Sequence, residues 1–246
     1  MPRETSAAAL DEDAPSLAAG AAVSGQVPEI TNESYAMTRL LHVVGSPRGI
    51  ESRSAAIAAP FIDAWRERDP LLEVDTLDLW AEQLPEFDGN KAAAKMRVIT
   101  GGTHDDRTQT AWDAITSVTS RFTSADAYLF TVPMWNGGIP YRLKLYIDIL
   151  MQPGILFGFD PKDGYHGLLT GKRAAAIYTS GVYQAGMPDE FGEDFHSTYL
   201  TWWLRSIGVH RVETIRYQPT LLTAQPERVF EDALNAARDA AVRLAG

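Results

Sequence analysis

The sequence predicts an α/β chain: a three-layer, doubly wound sheet of five parallel strands. Three observations carry that expectation. Short apolar runs alternate with helical periodicities five times between Met37 and Gly246. Most of the strand-like runs are continuously apolar, as in a parallel sheet covered on both faces. The loops that hold hydroxyls, arginines, glycines and aromatics follow the first, third and fourth strand-like runs, where ligands bind on such sheets.

The elements follow in order. Residues Arg39–Val44 (RLLHVV) read as a buried strand, closed by the loop Gly45-Ser46-Pro47-Arg48-Gly49. Ser52–Arg68 reads as a helix, with Ile57, Phe61 and Trp65 spaced by four on one face. Pro60 lies inside it and is expected to kink it or mark a restart. Leu72–Leu79 alternates apolar and polar residues, the pattern of a half-buried strand. Trp80–Arg107 has weak periodicity and reads as irregular with short helix. Thr108–Thr123 is helical, with Trp112, Ile115 and Val118 on its apolar side. Ala127–Val132 is a buried strand, and Pro140–Met151 a helix with proline at its first position. Arg173–Thr179 is a strand, and Phe195–Ile207 an aromatic-rich helix stopped by Gly208. Arg211–Tyr217 is the last strand and Pro226–Leu244 the last helix.

Composition narrows the function classes. The chain has 246 residues, of which 45% are hydrophobic and 22% charged, the balance of an ordinary globular protein. It has no cysteine, which excludes disulfides, Cys-ligated zinc, iron–sulfur clusters and a thiol nucleophile. The 32 acidic residues outnumber the 22 lysines and arginines, for a net charge of −10. Broad binding to nucleic acid is therefore not expected, although a small anion site is compatible with that charge. Residues 1–36 read as a disordered, acidic, Ala-rich tail: nine alanines, one aromatic, and six acidic residues against Arg3. Asp11-Glu12-Asp13 precedes the Ala-rich stretch where a secretory signal carries positive charge. No apolar run reaches the roughly 18 residues of a membrane span. The expectation is a cytoplasmic protein with one domain over residues 37–246.

Three loops carry chemistry. The first, Gly45–Ser54, leads from a strand into a helix N-terminus and holds Ser46, Ser52, Arg53 and Ser54. Free N–H groups and the helix dipole there favour a phosphate. The stretch lacks both the Gly-Lys-Ser/Thr ending and the GxGxxG pattern of other phosphate loops. An ordinary capped helix explains the same residues, and Glu51 counts against an anion. The second loop, Thr131–Pro140, holds Pro133, Met134, Trp135, Asn136 and Gly137, a tight path with a flat aromatic face. It suits a planar heteroaromatic ring read at its polar edge, or a surface turn with a core tryptophan. The third, Tyr178–Gln184, holds Thr179, Ser180, Gly181 and Tyr183, small residues that permit close approach of a ligand. His42 reads as a satisfied core residue. The other four histidines form no HxxxH or HxH pair, so no metal site is expected. There is no Gly-x-Ser-x-Gly elbow of a hydrolase.

Together, SPRGIESRS (46–54), PMWNGGIPYRLKLYIDIL (133–150) and GLLTGKRAAAIYTSGVY (167–183) resemble the FMN-dependent NADH-azoreductases, also described as NADH:quinone oxidoreductases, of flavodoxin-like fold. The Pro-Met-aromatic-Asn loop leading into an LKxYID helix is the most specific piece. The resemblance implies that Ser46, Ser52, Arg53 and Ser54 hold the FMN phosphate. It implies that Met134, Trp135, Asn136 and Gly137 line the isoalloxazine ring, and that Thr179, Ser180 and Gly181 touch its pyrimidine edge. It further implies a two-electron ping-pong reaction, from NADH (NADPH is the weaker expectation) to quinone, azo or nitroaromatic acceptors. No acid–base side chain is demanded, so the catalytic residue stays unassigned, with Tyr183 a candidate donor. A homodimer is implied too, and the apolar circumference of Leu143–Met151 and the crowding of Phe195, Tyr199, Trp202 and Trp203 agree with one.

This chain departs from the family pattern at three places. Gly137-Gly138 replaces a more usual aromatic, which is expected to open the face of the ring. Gly181 stands alone where two adjacent glycines are usual. Pro60 is unusual in the first helix. Two other readings fit the same motifs: an NAD(P)H:FMN reductase that releases reduced flavin, and a non-catalytic electron carrier of the flavodoxin type.

Overall fold

The computed structural model describes residues 37–246; the expected tail, residues 1–36, lies outside the described residues. Five parallel strands form the central sheet: β1 (Arg39–Val44), β2 (Glu73–Asp78), β3 (Ala127–Pro133), β6 (Arg173–Thr179) and β7 (Arg211–Tyr217). Their spatial order is β2-β1-β3-β6-β7, all parallel. The direction of winding reverses between β1 and β3, which opens a crevice at their C-terminal ends. The three inner strands are buried on both faces, which is why their sequences run apolar without alternation.

Neighbouring residues on each strand serve opposite cores. Leu40, Leu129, Ile177 and Ile215 pack beneath α1 (Arg53–Arg68) and α6 (Pro226–Ala245), against Ile57, Phe61, Trp65 and Ala237. Leu41, Val43, Tyr128 and Phe130 face the other layer, where α3 (Asp106–Thr123), α4 (Tyr141–Leu150) and α5 (Ser197–Ser206) contribute Phe122, Tyr146 and Trp203. The stacked Phe122–Tyr128 pair, 4.2 Å between centroids, lies at the centre of this second core.

Four expectations change. The stretch expected to be irregular with short helix contains a longer one, the 12-residue α2 (Gly89–Thr100). Asp88 caps it by accepting from Asn90 and Lys91 N–H, and Gly101 ends it at φ 67°. Its buried face consists of Ala94 and the stem of Lys91, with no large apolar side chain to mark a period. A separate antiparallel hairpin, β4 (Phe157–Asp160) with β5 (Gly164–Gly167), was also not foreseen, because glycines dilute its alternation. Helix α1 passes through Pro60 without a restart, its halves held in register by the buried Ile57, Phe61 and Trp65. Pro140 is the residue before α4 rather than its first turn, with ψ 144° and its carbonyl accepting from Lys144.

Most of the apolar circumference of α4 is consumed inside this single chain. Leu143, Tyr146, Ile147, Ile149 and Leu150 are all buried. Among the described residues no helix is long and apolar enough to cross a membrane.

Candidate active site

The strand order sets three loop-bearing strand ends side by side. Val44 pairs with Thr131 across β1 and β3, and Pro133 with Thr179 across β3 and β6. The loops after them enclose a cleft of about 200 Å³ lined by Ser46, Arg48, Ser52, Arg53, Ser54, Pro133, Met134, Thr179, Ser180, Gly181 and Thr220. Nine of the residues expected at the site meet here. Six lining side chains carry hydroxyls and two are arginines, with no carboxylate among them. In a chain of net charge −10 that is a local inversion of sign.

The first loop owes its shape to close backbone approach. Gly45 donates its N–H to the Thr131 carbonyl at 2.9 Å, and a Cβ at Gly45 would stand 2.8 Å from that oxygen. A 3-10 turn over Gly49–Glu51 then delivers the chain to Ser52, the N-cap of α1, whose Oγ accepts from Ala55 N–H at 3.1 Å. Ser54 Oγ lies 3.1 Å from Ser52 Oγ, so two hydroxyls and the free N–H groups of a helix terminus converge on one spot. Glu51 is exposed and lines no part of the cleft.

The second loop turns tightly. Trp135 and Gly138 exchange two backbone hydrogen bonds of 2.9 Å across Asn136 (φ 49°) and Gly137 (φ 79°). An Asn-Gly pair meets the demand of such a turn for two left-handed residues. Trp135 is 36% exposed and leans on Trp80 and Tyr141, with ring centroids 5.5 and 6.2 Å away. It is therefore not a core tryptophan. With Asn136, Phe87, Ile139, Tyr141 and Lys144 it lines a larger recess of about 560 Å³ next to the cleft. Trp80 also donates its indole N–H to the Gly45 carbonyl at 3.0 Å and so ties this aromatic group to the first loop.

Gly137 packs against another part of the chain. It lines neither cavity: a Cβ there would lie 3.2 Å from the Glu193 carbonyl oxygen and 3.6 Å from the Phe195 ring. The missing side chain admits the Tyr183–Phe195 segment rather than opening a face. Tyr183 is likewise outside both cavities; its carbonyl accepts the Ser180 hydroxyl and its ring lies near Gly192. The third loop is fixed by its neighbours instead. Met134 N–H donates to the Thr179 carbonyl at 2.7 Å, and Ser180 and Gly181 carbonyls accept from Thr220 and Leu221. Thr220 and Arg48 were not singled out from sequence. Arg48 sat inside the quoted loop, whereas nothing local marks Thr220.

Behind the second loop lies a buried polar group. His196 is fully buried, and its Nε2–H donates to the Val132 carbonyl at 2.8 Å. Burial pushes its pKa down to about 4, against the smaller opposing pull of Val132 and Asp194. Burial works to raise the Asp194 carboxyl, but the Ser197 hydroxyl and amide and the Arg216 charge outweigh it and hold it low. His42 is buried as expected, but its Nε2 has no hydrogen-bond partner among the described residues. Burial lowers its pKa to about 4. No cluster of metal-ligating side chains occurs among the described residues.

A doubly wound sheet in the order 2-1-3-4-5 with an anion cleft and an aromatic recess at its switch point defines a flavodoxin-like protein. Residues 38–241 match the family model described as flavodoxin-like fold. The chain is 54% identical over 200 residues to an FMN-dependent NADH:quinone oxidoreductase of Ruegeria pomeroyi, covering 81% of this chain and 98% of that one. It is 41% identical over 198 residues to an enzyme of the same name from Desulfotalea psychrophila, covering 80% and 93%. In fold it is similar to the crystal structure of an azoreductase from Bacillus anthracis, with TM-score 0.76, 24% identity, and coverage of 84% and 100%. The chain belongs to the FMN-dependent NADH:quinone oxidoreductase family.

Proposed function

We propose that this chain is an FMN-dependent enzyme that oxidises NADH and reduces quinones, with azo and nitroaromatic compounds as further acceptors. The observation that carries this reading is the carboxylate-free cleft of hydroxyls and arginines, which adjoins an aromatic recess at the switch point. Its donor set suits a phosphate dianion. Its 200 Å³ is less than the roughly 300–1,000 Å³ of a typical ligand pocket, so it fits one end of a larger molecule.

The residues divide the work. Ser46, Ser52, Ser54, Arg48 and Arg53 would hold the phosphate, with the α1 dipole adding to the attraction. Pro133, Met134, Thr179, Ser180 and Gly181 would shape the path of the ring toward Trp135 and Asn136. Bound FMN supplies the two-electron redox chemistry, while the protein supplies orientation and electrostatics. The rigid Asn136-Gly137 turn fixes the direction of the backbone amides around it, so any donor it offers is preorganised. Phe87, Ile139 and Tyr141 offer apolar surface to an aromatic acceptor.

A homodimer belongs to this reading. Tyr141 (63% exposed), Phe195 (61%) and Trp202 (60%) remain open after the single-chain core is complete and offer apolar surface to a second copy. A cytoplasmic location suits an enzyme that draws on NADH. The purified protein, supplied with FMN, is expected to show flavin absorbance, to bleach with NADH without oxygen, and to recover its colour when a quinone is added. Failure to retain FMN would overturn the proposal.

A further inference from the structure

Arg53 is one of two exposed arginines that line the phosphate cleft, and among the described residues no carboxylate pairs with it. A long side chain in that position would sample many rotamers, most of them aimed away from a ligand. Here the guanidinium instead lies 4.9 Å above the ring centroid of Phe230, near the start of α6. Phe230 is itself braced by the buried Tyr217 at the end of β7, with centroids 5.2 Å apart and rings at 64°. The packing of α1 against α6 through Ile57, Phe61, Ala233 and Ala237 fixes the distance between the two residues.

We infer that Phe230 is a positioning residue for FMN: its ring, steadied by Tyr217, holds the Arg53 guanidinium at the cleft so that the cation meets the phosphate. The inference rests on the FMN reading above. It is specific in kind, because the ring touches the arginine and lines no part of the cleft. A cation held over an aromatic face keeps its charge and its donors free for an anion, whereas a carboxylate partner would neutralise both. Loss of the ring should therefore weaken recognition of the phosphate and leave recognition of the flavin ring alone.

The test compares FMN with riboflavin, which lacks the phosphate, by fluorescence titration of the apoprotein. Wild type should bind FMN more tightly. Phe230→Leu should narrow the FMN/riboflavin ratio by roughly two- to fivefold, through the FMN constant alone. Phe230→Met, a second apolar replacement without a π face, should do the same, and Phe230→Tyr should retain the wild-type ratio. Arg53→Gln should narrow the ratio at least as far, and adding Phe230→Leu to it should produce no further change. Equal weakening of both ligands, an unchanged ratio, or a further loss in the Arg53→Gln background would each overturn the inference while the FMN reading stands. A wild-type protein that does not distinguish the two ligands would overturn the FMN reading itself.

Discussion

Ser52 and Ser54 share a hydrogen bond of 3.1 Å between their hydroxyl oxygens, while Ser52 also caps the helix through Ala55 N–H. One serine thus serves both the fold and the cleft, and its partner is free to serve the cleft. Replacing both by alanine should raise the FMN dissociation constant about 100-fold or more, from the loss of two bonds to a charged group worth roughly 1.5–3 kcal/mol each. Ser52→Ala alone should also lower the stability of the FMN-free protein by about 1 kcal/mol through loss of the cap. Urea unfolding separates the two effects, since Ser54→Ala should change affinity more than stability.

Gly45→Ala is expected to destabilise the fold by about 1–3 kcal/mol. The added carbon would stand 2.8 Å from the Thr131 carbonyl oxygen, which is backbone and already accepts the Gly45 N–H. Neither atom can retreat without losing that bond. A shift in the urea midpoint worth less than about 0.5 kcal/mol would contradict the packing described.

Acid should weaken the fold through two histidines. His42 and His196 are buried and neutral, with pKa values lowered to about 4 from an unfolded value of 6.5. The unfolded chain therefore binds more protons, and stability falls as pH drops from about 6.5 to about 4, by up to about 3 kcal/mol per histidine. Below pH 4 their contribution is exhausted, and the salt-bridged Asp75 and hydrogen-bonded Asp194, both held below the ordinary carboxyl range, take over. His42→Phe should flatten the slope between pH 6.5 and 4.5 by about half; an unchanged slope would refute the assignment.

Trp202→Glu places a charge on the exposed aromatic face of α5 without touching the buried Trp203. In a homodimer built on that face the variant should run as a monomer by light scattering at micromolar concentration, with its circular dichroism unchanged. A wild type that is monomeric under the same conditions would remove the dimer from the functional reading.

The inner strands were legible because burial on both faces leaves an unbroken apolar signature, so Arg39–Val44 and Arg173–Thr179 were read to the residue. Ser46, Ser52, Arg53 and Ser54 were legible as a hydroxyl-rich strand-to-helix loop, and the structure gathers them into one cleft. The extent of helix α2 was hidden because its buried face holds only Ala94 and Lys91, with no large apolar side chain to set a period. Thr220 was hidden because only the pairing of β6 with β7, and two backbone bonds to Ser180 and Gly181, bring it to the cleft. The packing of Gly137 was hidden for a related reason: it is against Glu193 and Phe195, more than fifty positions away in the chain.

The bond from the Trp80 indole to the Gly45 carbonyl, with Trp135 packed against the same indole, has an optical consequence. Two of the chain's six tryptophans sit between the anion cleft and the aromatic recess, so arrival of a yellow, light-absorbing guest should dim their ultraviolet emission. The molecule carries its own gauge of occupancy, readable without label or substrate, and Trp80→Phe should mute that signal.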